Sequence, residues 1–243
     1  MNTFANQPLA HAAGGDTPPI FTGANIRPVA VYAAALSGDR SLTMAGWLRI
    51  DFDAFESKAV TAAWAEFREQ LYADPTLNIR RGDTLRARKL AAGQGRPLSH
   101  SARRGPNRAE QSRYRQVLRR GLATVADLPD TTVGTAHGPH TTGRAAASAL
   151  IERLSARHTA DGTSALAVIR MNTAAVWYDL AAAPAPAPPE SLPCAADATD
   201  GLLEAAEFVA YCAYQHHARP HNRRFLADWF AELHPGAEGP LPL

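Results

Sequence analysis

Two short apolar runs near the start of the chain predict a β-hairpin. The first, PVAVYAAAL, covers residues 28–36, and the second, LTMAGWLRI, covers residues 42–50. Between them lies SGDR (37–40), and Ser, Gly and Asp are residues typical of tight turns. Two strand-like runs joined by so short a turn are expected to pair as antiparallel neighbours.

Farther along, recurring apolar residues predict four helices. In the first, residues 53–71, Asp53 is expected to act as the N-cap and Glu56 to complete a capping box. The second, residues 108–126, carries mostly arginine on the face opposite its apolar stripe. The other helices are predicted at residues 144–157 and 201–217, and short strands at residues 131–137 and 165–171.

Four segments lack this periodicity. Residues 1–26 predict a disordered leader, residues 80–107 an Arg- and Gly-rich loop, residues 181–193 a Pro/Ala-rich loop, and residues 234–243 a tail. The remaining elements, between residues 27 and 233, are enough for one domain. A hairpin followed by helices and strands predicts an α/β fold, with a mixed β-sheet flanked by helices.

The composition of the chain indicates the cellular compartment. Of the 243 residues, 46% are hydrophobic, which is enough for a sizeable core. No stretch reaches the roughly 18 apolar residues that a membrane-spanning helix needs, and the first residues lack the pattern of a secretory signal. Two cysteines, Cys194 and Cys212, do not make a disulfide framework. The sequence therefore predicts a cytoplasmic protein without a membrane partner.

Charge is distributed unevenly along the chain. Residues 80–120 contain thirteen Lys or Arg against two acids, a local charge of about +11, although the formal net charge of the whole chain is +2. This separation is typical of a surface that faces a polyanion, and a solvated loop is the alternative. The candidate nucleic-acid-binding residues are Arg80, Arg81, Arg86, Arg88, Lys89, Arg103, Arg104, Arg113 and Arg120.

Three motifs, in this order, resemble one known family. The first predicted strand ends in ALSGD (35–39), a middle motif reads TLR (84–86), and the last predicted helix contains EAAEFVAY (204–211). In the domain-of-unknown-function 3800 family the corresponding stretches read DESGD, ELH and QMADLVAY. The resemblance spans residues 28–230 and implies a ribonuclease-H-like fold.

The same resemblance implies that the family's metal-binding carboxylates are mostly missing here. Ribonuclease-H-like nucleases hold two divalent cations with acidic side chains at strand ends and on one helix. Mg²⁺ and Mn²⁺ prefer such oxygen ligands. The family's positions are taken by other residues: Ala35 and Leu36 in the first strand, Thr84 and Arg86 in the middle motif, and Arg170 near the end of a later strand. One helix acid remains, as Glu207, so the resemblance implies a dismantled metal site.

Only weak catalytic candidates remain: Glu207, Asp39 and Asp179. Glu207 lies on an otherwise apolar helix, so we expect it to form an ion pair with an arginine such as Arg86, rather than to be a metal ligand. Asp39 is interpreted as a turn residue. Asp83 is interpreted as a surface residue, whereas Asp179 follows a strand and could approach the former metal site.

The histidines do not follow a metal-binding pattern. His217 and His221 are spaced i, i+4, but a proline between them breaks the helix, and we interpret them with His216 as a surface cluster. His137 and His140 flank a Gly-Pro turn. The sequence thus predicts no cofactor, and Mg²⁺ or Mn²⁺ only if the protein is an active enzyme.

The leading hypothesis is a catalytically inactive ribonuclease-H-like protein that binds nucleic acid or a partner protein through its basic face. Two alternatives stay open. An active metal-dependent nuclease requires relocated carboxylates, three of them within about 5 Å of one another; the available acids are Asp39, Asp83, Asp179 and Glu207. A protein-interaction module would pair the basic face with an acidic partner and would not bind nucleic acid.

Overall fold

A mixed β-sheet forms the centre of the fold. The computed structural model describes residues 27–95, 106–139, 142–171, 174–181, 196–218 and 224–243. The predicted leader and nearly all of the Pro/Ala-rich loop lie outside these ranges. The strands are β1 Ala30–Gly38, β2 Leu42–Asp51, β3 Thr131–Pro139, β4 Ala165–Met171, β5 Ala174–Asp179 and β6 Glu238–Pro242. Across the sheet they follow the order β5-β4-β1-β2-β3-β6.

Helices cover both faces of this sheet. They are α1 Phe52–Glu56, α2 Ala59–Ala73, α3 Ala87–Ala91, α4 Arg108–Ala126, α5 Gly143–Ala160, α6 Ala196–Ala218 and α7 Arg224–Leu233. On one face α2, α4, α6 and α7 enclose a large core that includes Trp64, Leu118 and Phe208. On the other face α5 packs Leu150 and Ile151 against the sheet. The prediction of an α/β domain, with a mixed sheet flanked by helices, is confirmed.

β1 and β2 form the predicted hairpin. They pair antiparallel along their whole lengths, from Ala30 opposite Asp51 to Gly38 opposite Thr43. Gly38 has a φ of 155°, and a Cβ at this residue would lie 2.2 Å from the Leu42 carbonyl oxygen. The turn between the two strands therefore needs a glycine at this position.

β1 and β4 point in the same direction. Ala34 lies opposite Ile169 in this parallel pair, so the last residues of both strands reach the same edge of the sheet. In open α/β sheets, ligands bind at the carboxyl ends of the strands. β5 runs antiparallel to β4, which places its end, Asp179, at the opposite edge, beside Leu166.

α6 lies close against the sheet because small residues meet at their contact. A Cβ on Gly46 of β2 would stand 2.5 Å from the backbone nitrogen of Ala210 and 2.6 Å from its Cα. Ala35 of β1 packs on Ala206 and Ala210, and each of the three is at most 5% exposed. The contact fixes α6 relative to the carboxyl end of β1.

Two glutamates, one helical turn apart on α6, hold the segment that leads into α3. Glu204 is buried and accepts hydrogen bonds from Arg68 Nη1 at 2.5 Å and from the backbone N–H of Leu85 at 2.6 Å. Burial raises the pKa of the Glu204 carboxyl, and the ion pair with Arg68 opposes that shift. Glu207 accepts a hydrogen bond from the backbone N–H of Ala87 at 3.2 Å.

The helix predicted over residues 53–71 consists of two helices, α1 and α2. Lys58, with a φ of 61°, separates them. The predicted capping box is wrong, since the carboxylates of Asp53 and Glu56 bind Arg27 at 2.6 and 2.5 Å. Arg27 precedes β1, and it comes within reach of the two acids only once the hairpin has folded back along the sheet.

The prediction of a C-terminal tail over residues 234–243 is also wrong. β6 extends the sheet as an edge strand parallel to β3, with Glu238 opposite Gly134. Arg157 of α5 binds Glu238 at 2.7 Å and ties this strand to the neighbouring helix. The sequence also predicts no element at β5, α3 or α7, and α3 lies inside the segment predicted as loop.

Substituting Gly46 tests the close approach of α6. Gly46→Ala is expected to lower the free energy of unfolding by roughly 1–3 kcal/mol, because the added Cβ overlaps the backbone of Ala210 and forces the helix outward. Urea denaturation followed by circular dichroism measures the change. Gly82→Ala is the control, since a Cβ there meets nothing within 4 Å. Equal losses in the two variants would contradict the packing argument.

Substituting Glu204 tests the buried ion pair. Glu204→Gln leaves the Arg68 guanidinium buried without a carboxylate, and we expect the free energy of unfolding to fall by roughly 3 kcal/mol or more. Glu207→Gln is the matched variant one turn away, where the partner Arg86 is 41% exposed, and about 1 kcal/mol is expected. Chemical denaturation measures the free energy of unfolding of both variants. A smaller decrease for Glu204→Gln than for Glu207→Gln would contradict the role of Glu204 in a buried ion pair.

Candidate functional site

A cleft of about 900 Å³ opens at the edge of the sheet where β1 and β4 end. Its walls are the end of β1, α3, the first turn of α5, Arg170 of β4, and α6. We call it the arginine cleft, after the four arginines that line it: Arg86, Arg88, Arg144 and Arg170. Most positions that the resemblance matches to residues of the family's metal site meet here, namely Ala35, Leu36, Arg86, Arg170 and Glu207.

Apolar side chains lie where the first two carboxylates were expected. Ala35 is 5% exposed and belongs to the contact that holds α6 on the sheet. Leu36 points to the other face and packs against the core under α5, because neighbouring residues of a strand alternate between faces. A carboxylate at residue 35 would be buried among alanines, where an unpaired charge is costly.

Glu207 forms the ion pair that the sequence analysis predicted. Its Oε2 lies 2.9 Å from Arg86 Nη1, and its Oε1 accepts the hydrogen bond from the backbone of α3. The carboxylate thus orients Arg86 and anchors the start of α3. Both of its oxygens are engaged by these donors.

Asp39 is also engaged within the protein. Its Oδ1 accepts hydrogen bonds from the hydroxyl and backbone N–H of Ser41 and from the backbone N–H of Leu42. Its Oδ2 accepts a hydrogen bond from the Tyr214 hydroxyl at 2.6 Å. Bonds from Ser41 and then Tyr214 hold the pKa of Asp39 well below its usual range, so the group stays ionised. Desolvation and this bond raise the pKa of Tyr214 to about 12. The predicted role of Asp39 as a turn residue is confirmed.

Arg170, near the end of β4, lines the cleft where the resemblance would place an acid. Its side chain is 12% exposed, and its Nη2 lies 2.8 Å from Asp200 Oδ1 at the start of α6. Arg170 stands between the arginine cleft and a second groove of about 850 Å³, which it lines together with Arg86. A cation in the cleft would be repelled by this guanidinium.

Arg88 and Arg144 are exposed, and neither forms an ion pair with an acid among the described residues. α5 begins at the cleft, where the Thr142 hydroxyl accepts a hydrogen bond from the backbone N–H of Ala145 and caps the helix. Four arginines therefore face two carboxylates, Asp39 and Glu207, in the cleft lining, and the excess charge is positive.

The remaining basic candidates do not share this cleft. Arg81 pairs with Glu69 at 2.6 Å beside the second groove. Arg113 and Arg120 line a separate shallow groove with Asp74, on the outer face of α4. Arg80 and Lys89 are exposed and line none of these cavities, and Arg103 and Arg104 lie outside the described residues. The basic segment thus contributes Arg86 and Arg88 to the arginine cleft, whereas Arg113 and Arg120 line a different groove.

Of the four acids available for a relocated metal site, Asp39 and Glu207 line the cleft, and Asp83 and Asp179 do not. The sequence left open that Asp179 could approach the cleft, but it lies opposite Leu166, four residues from Arg170 along β4 and about 13 Å away at 3.3 Å per residue. Asp83 lies in the second groove, where its Oδ2 accepts a hydrogen bond from the Arg80 backbone. In the part of the chain that the structure describes, no three acids, histidines or cysteines form a metal-binding group.

The histidines of α6 make contacts within the protein. The His217 ring lies 4.6 Å from the His137 ring, and His216 Nδ1 donates a hydrogen bond to the Ala227 carbonyl oxygen at 3.1 Å. His140 and His221 fall outside the described residues. The interpretation of these histidines as a surface cluster is therefore only partly right, since His216 is half-buried against α7.

Sequence reasoning missed Arg144, Tyr214 and Gln215 of the cleft. Arg144 is a single arginine at the start of a predicted helix, with no local signal to separate it from a solvent-exposed charge. Tyr214 and Gln215 follow the EAAEFVAY motif on α6, a helix whose pattern is otherwise mostly apolar. The one available signal was Gln215 itself, a polar residue in that pattern.

Comparison with protein-family models, with curated proteins and with solved structures found no match to this chain. The resemblance to the domain-of-unknown-function 3800 family thus rests on the three motifs and their order. In the described part of the chain, no helix combines the length and the apolar character needed to cross a membrane.

Proposed function

We propose that the protein is a non-catalytic nucleic-acid-binding domain and that the arginine cleft binds phosphate groups. The observation that carries the proposal is the placement of Arg88 and Arg144, two guanidinium groups without acidic partners among the described residues, in one concave cavity. A guanidinium binds phosphate with two parallel hydrogen bonds, and a concave basic cleft raises the local concentration of anions.

The donor set of the cleft does not fit a pair of divalent cations. Mg²⁺ or Mn²⁺ needs several free oxygen ligands. Asp39 and Glu207 are the carboxylates of the lining, and both are already held by hydrogen bonds from the protein. The arginines add like charge where a cation would bind. This supports a cleft that takes the phosphates of a substrate-like strand without cutting it.

The family resemblance is consistent with this function. In a ribonuclease-H-like protein, the carboxyl end of the first strand is where nucleic acid meets the metal ions. We propose that this chain is a degenerate member that keeps the location and has exchanged metal-mediated contact with the phosphate for direct contact by arginine. We also propose a cytoplasmic location. An acidic protein that binds the same cleft is the alternative partner, and the binding experiments below distinguish it from nucleic acid.

Paired substitutions test where nucleic acid binds. Arg88→Ala/Arg144→Ala is expected to weaken binding of a labelled oligonucleotide by roughly tenfold for each arginine, since each loses a charged hydrogen bond. The slope of log affinity against log salt should become shallower by about 0.7–0.9 for each lost phosphate contact. Fluorescence anisotropy at several salt concentrations measures both quantities.

Arg113→Ala/Arg120→Ala is the matched control for that experiment. It removes the same charge from the outer face of α4, outside the cleft. Affinity should change by no more than about twofold, because exposed charges beyond a Debye length are screened. Equal losses in both double variants would show diffuse attraction rather than a site. Failure of wild-type protein to bind any probe would favour a protein-interaction module.

A cleavage assay tests the absence of catalysis. Wild-type protein and Glu207→Ala are incubated with labelled DNA and RNA in Mg²⁺ or Mn²⁺, with EDTA as the control. We expect intact probes in all reactions. Cleavage that needs the metal and disappears in Glu207→Ala would contradict the proposal and would favour an active nuclease.

A further inference from the structure

The arginine cleft has an apolar side as well as a basic one. Leu203, Tyr211 and Tyr214 of α6 line this side. Leu203 and Tyr211 are at most 5% exposed and belong to the core, so the half-buried Tyr214 presents the accessible ring. An apolar lining does not strengthen the binding of phosphate, because phosphate oxygens are bound by hydrogen-bond donors. Apolar and aromatic walls suit the flat face of a nucleobase, which stacks on aromatic rings without regard to sequence.

A buried acceptor in the same lining lacks a partner. Gln215 of α6 is 3% exposed and lines the cleft, and within the described residues its Oε1 receives no hydrogen bond. Buried polar atoms in folded proteins are almost always hydrogen-bonded, so an unpaired one calls for an explanation. Rotation about χ3, a soft torsion, turns the amide toward a bound ligand without moving the helix. The group that would satisfy Oε1 is a hydrogen-bond donor, such as the N–H of a nucleobase.

These two observations narrow the class of ligand. Every common nucleobase carries an N–H donor on its pairing edge, and that donor is free only when the base is unpaired. In a duplex the bases are stacked inside, and proteins reach their edges with elements that protrude into a groove. The cleft is concave, so a duplex could offer it phosphates but not a base.

We infer that the arginine cleft takes an unpaired nucleotide of a single-stranded nucleic acid. This inference rests on the proposed function and specifies its ligand. The phosphates lie on Arg88 and Arg144, the base lies against the apolar wall, and its pairing edge donates a hydrogen bond to Gln215 Oε1. Binding is tolerant of sequence, since any unpaired base supplies both a flat face and an N–H group.

Three probes of equal charge per strand test the inference by fluorescence anisotropy. They are a single strand of about twelve nucleotides, within the usual range of single-strand sites, the same sequence as a duplex, and a strand in which stable abasic residues replace the nucleosides. We expect the single strand, as DNA or RNA, to bind roughly tenfold more tightly than the other two. This comparison needs no variant.

Gln215→Met tests the acceptor. The unbranched side chain keeps the volume and removes the unpaired oxygen, so folding stability should be unchanged or slightly higher. Affinity for the single strand is expected to fall by roughly fivefold, because the base keeps its contact with the apolar wall, while abasic and duplex binding stay as in wild type. If the variant prefers the single strand as strongly as the wild type does, Gln215 does not contact the base.

The outcomes separate this inference from the function on which it rests. Equal, salt-sensitive binding of all three probes would overturn the inference and leave a phosphate-binding cleft. Tighter binding of the duplex would overturn it as well. If no probe binds, the proposed function fails together with the inference.

Discussion

The close contact between α6 and the sheet determines what the cleft can contain. Gly46 lets the backbone of Ala210 occupy space that a side chain on β2 would fill, and Ala35 and Ala206 continue the contact toward the end of β1. A helix held this close leaves no room for a hydrated carboxylate at residue 35. The small apolar residue at position 35 and the close packing of α6 are thus one structural feature. An acid at this position would require the helix to move.

Because α6 is fixed, its glutamates can serve as anchors for other segments. Glu204 and Glu207 hold the chain before α3 by bonds to Leu85 and Ala87, and each also pairs with an arginine. Ion pairs that are partly or fully buried add little net stability, but breaking one is costly, so they specify geometry. Their effect here is to place α3, and with it Arg88, on one wall of the cleft.

Local patterns predicted the elements that carry their own signal. The hairpin, α4 and β4 were predicted with nearly the observed bounds, because strand alternation, helical periodicity and turn residues are local properties. The pairing of Glu207 with Arg86 was also predictable, since an acid on an apolar helix needs a partner. β6 and the direction of β5 were not predictable in this way. Both depend on pairing with strands distant in sequence, and the misplacement of Asp179 follows from the unknown direction of β5.

The basic segment shows why proximity in sequence is a poor guide to a binding surface. On α4, exposed arginines such as Arg113 point into water, where salt screens their charge. Arg144 and Arg170, isolated in sequence, meet Arg86 and Arg88 only because parallel β1 and β4 end at the same edge and α5 starts there. In a concave cleft with protein on several sides, fewer charges produce a stronger local potential. Among the described residues, acids hold two of the four arginines in position, and the other two carry charge without an acidic partner. Under the proposed function, this division between paired and unpaired guanidinium groups, rather than the number of arginines, sets where a polyanion binds.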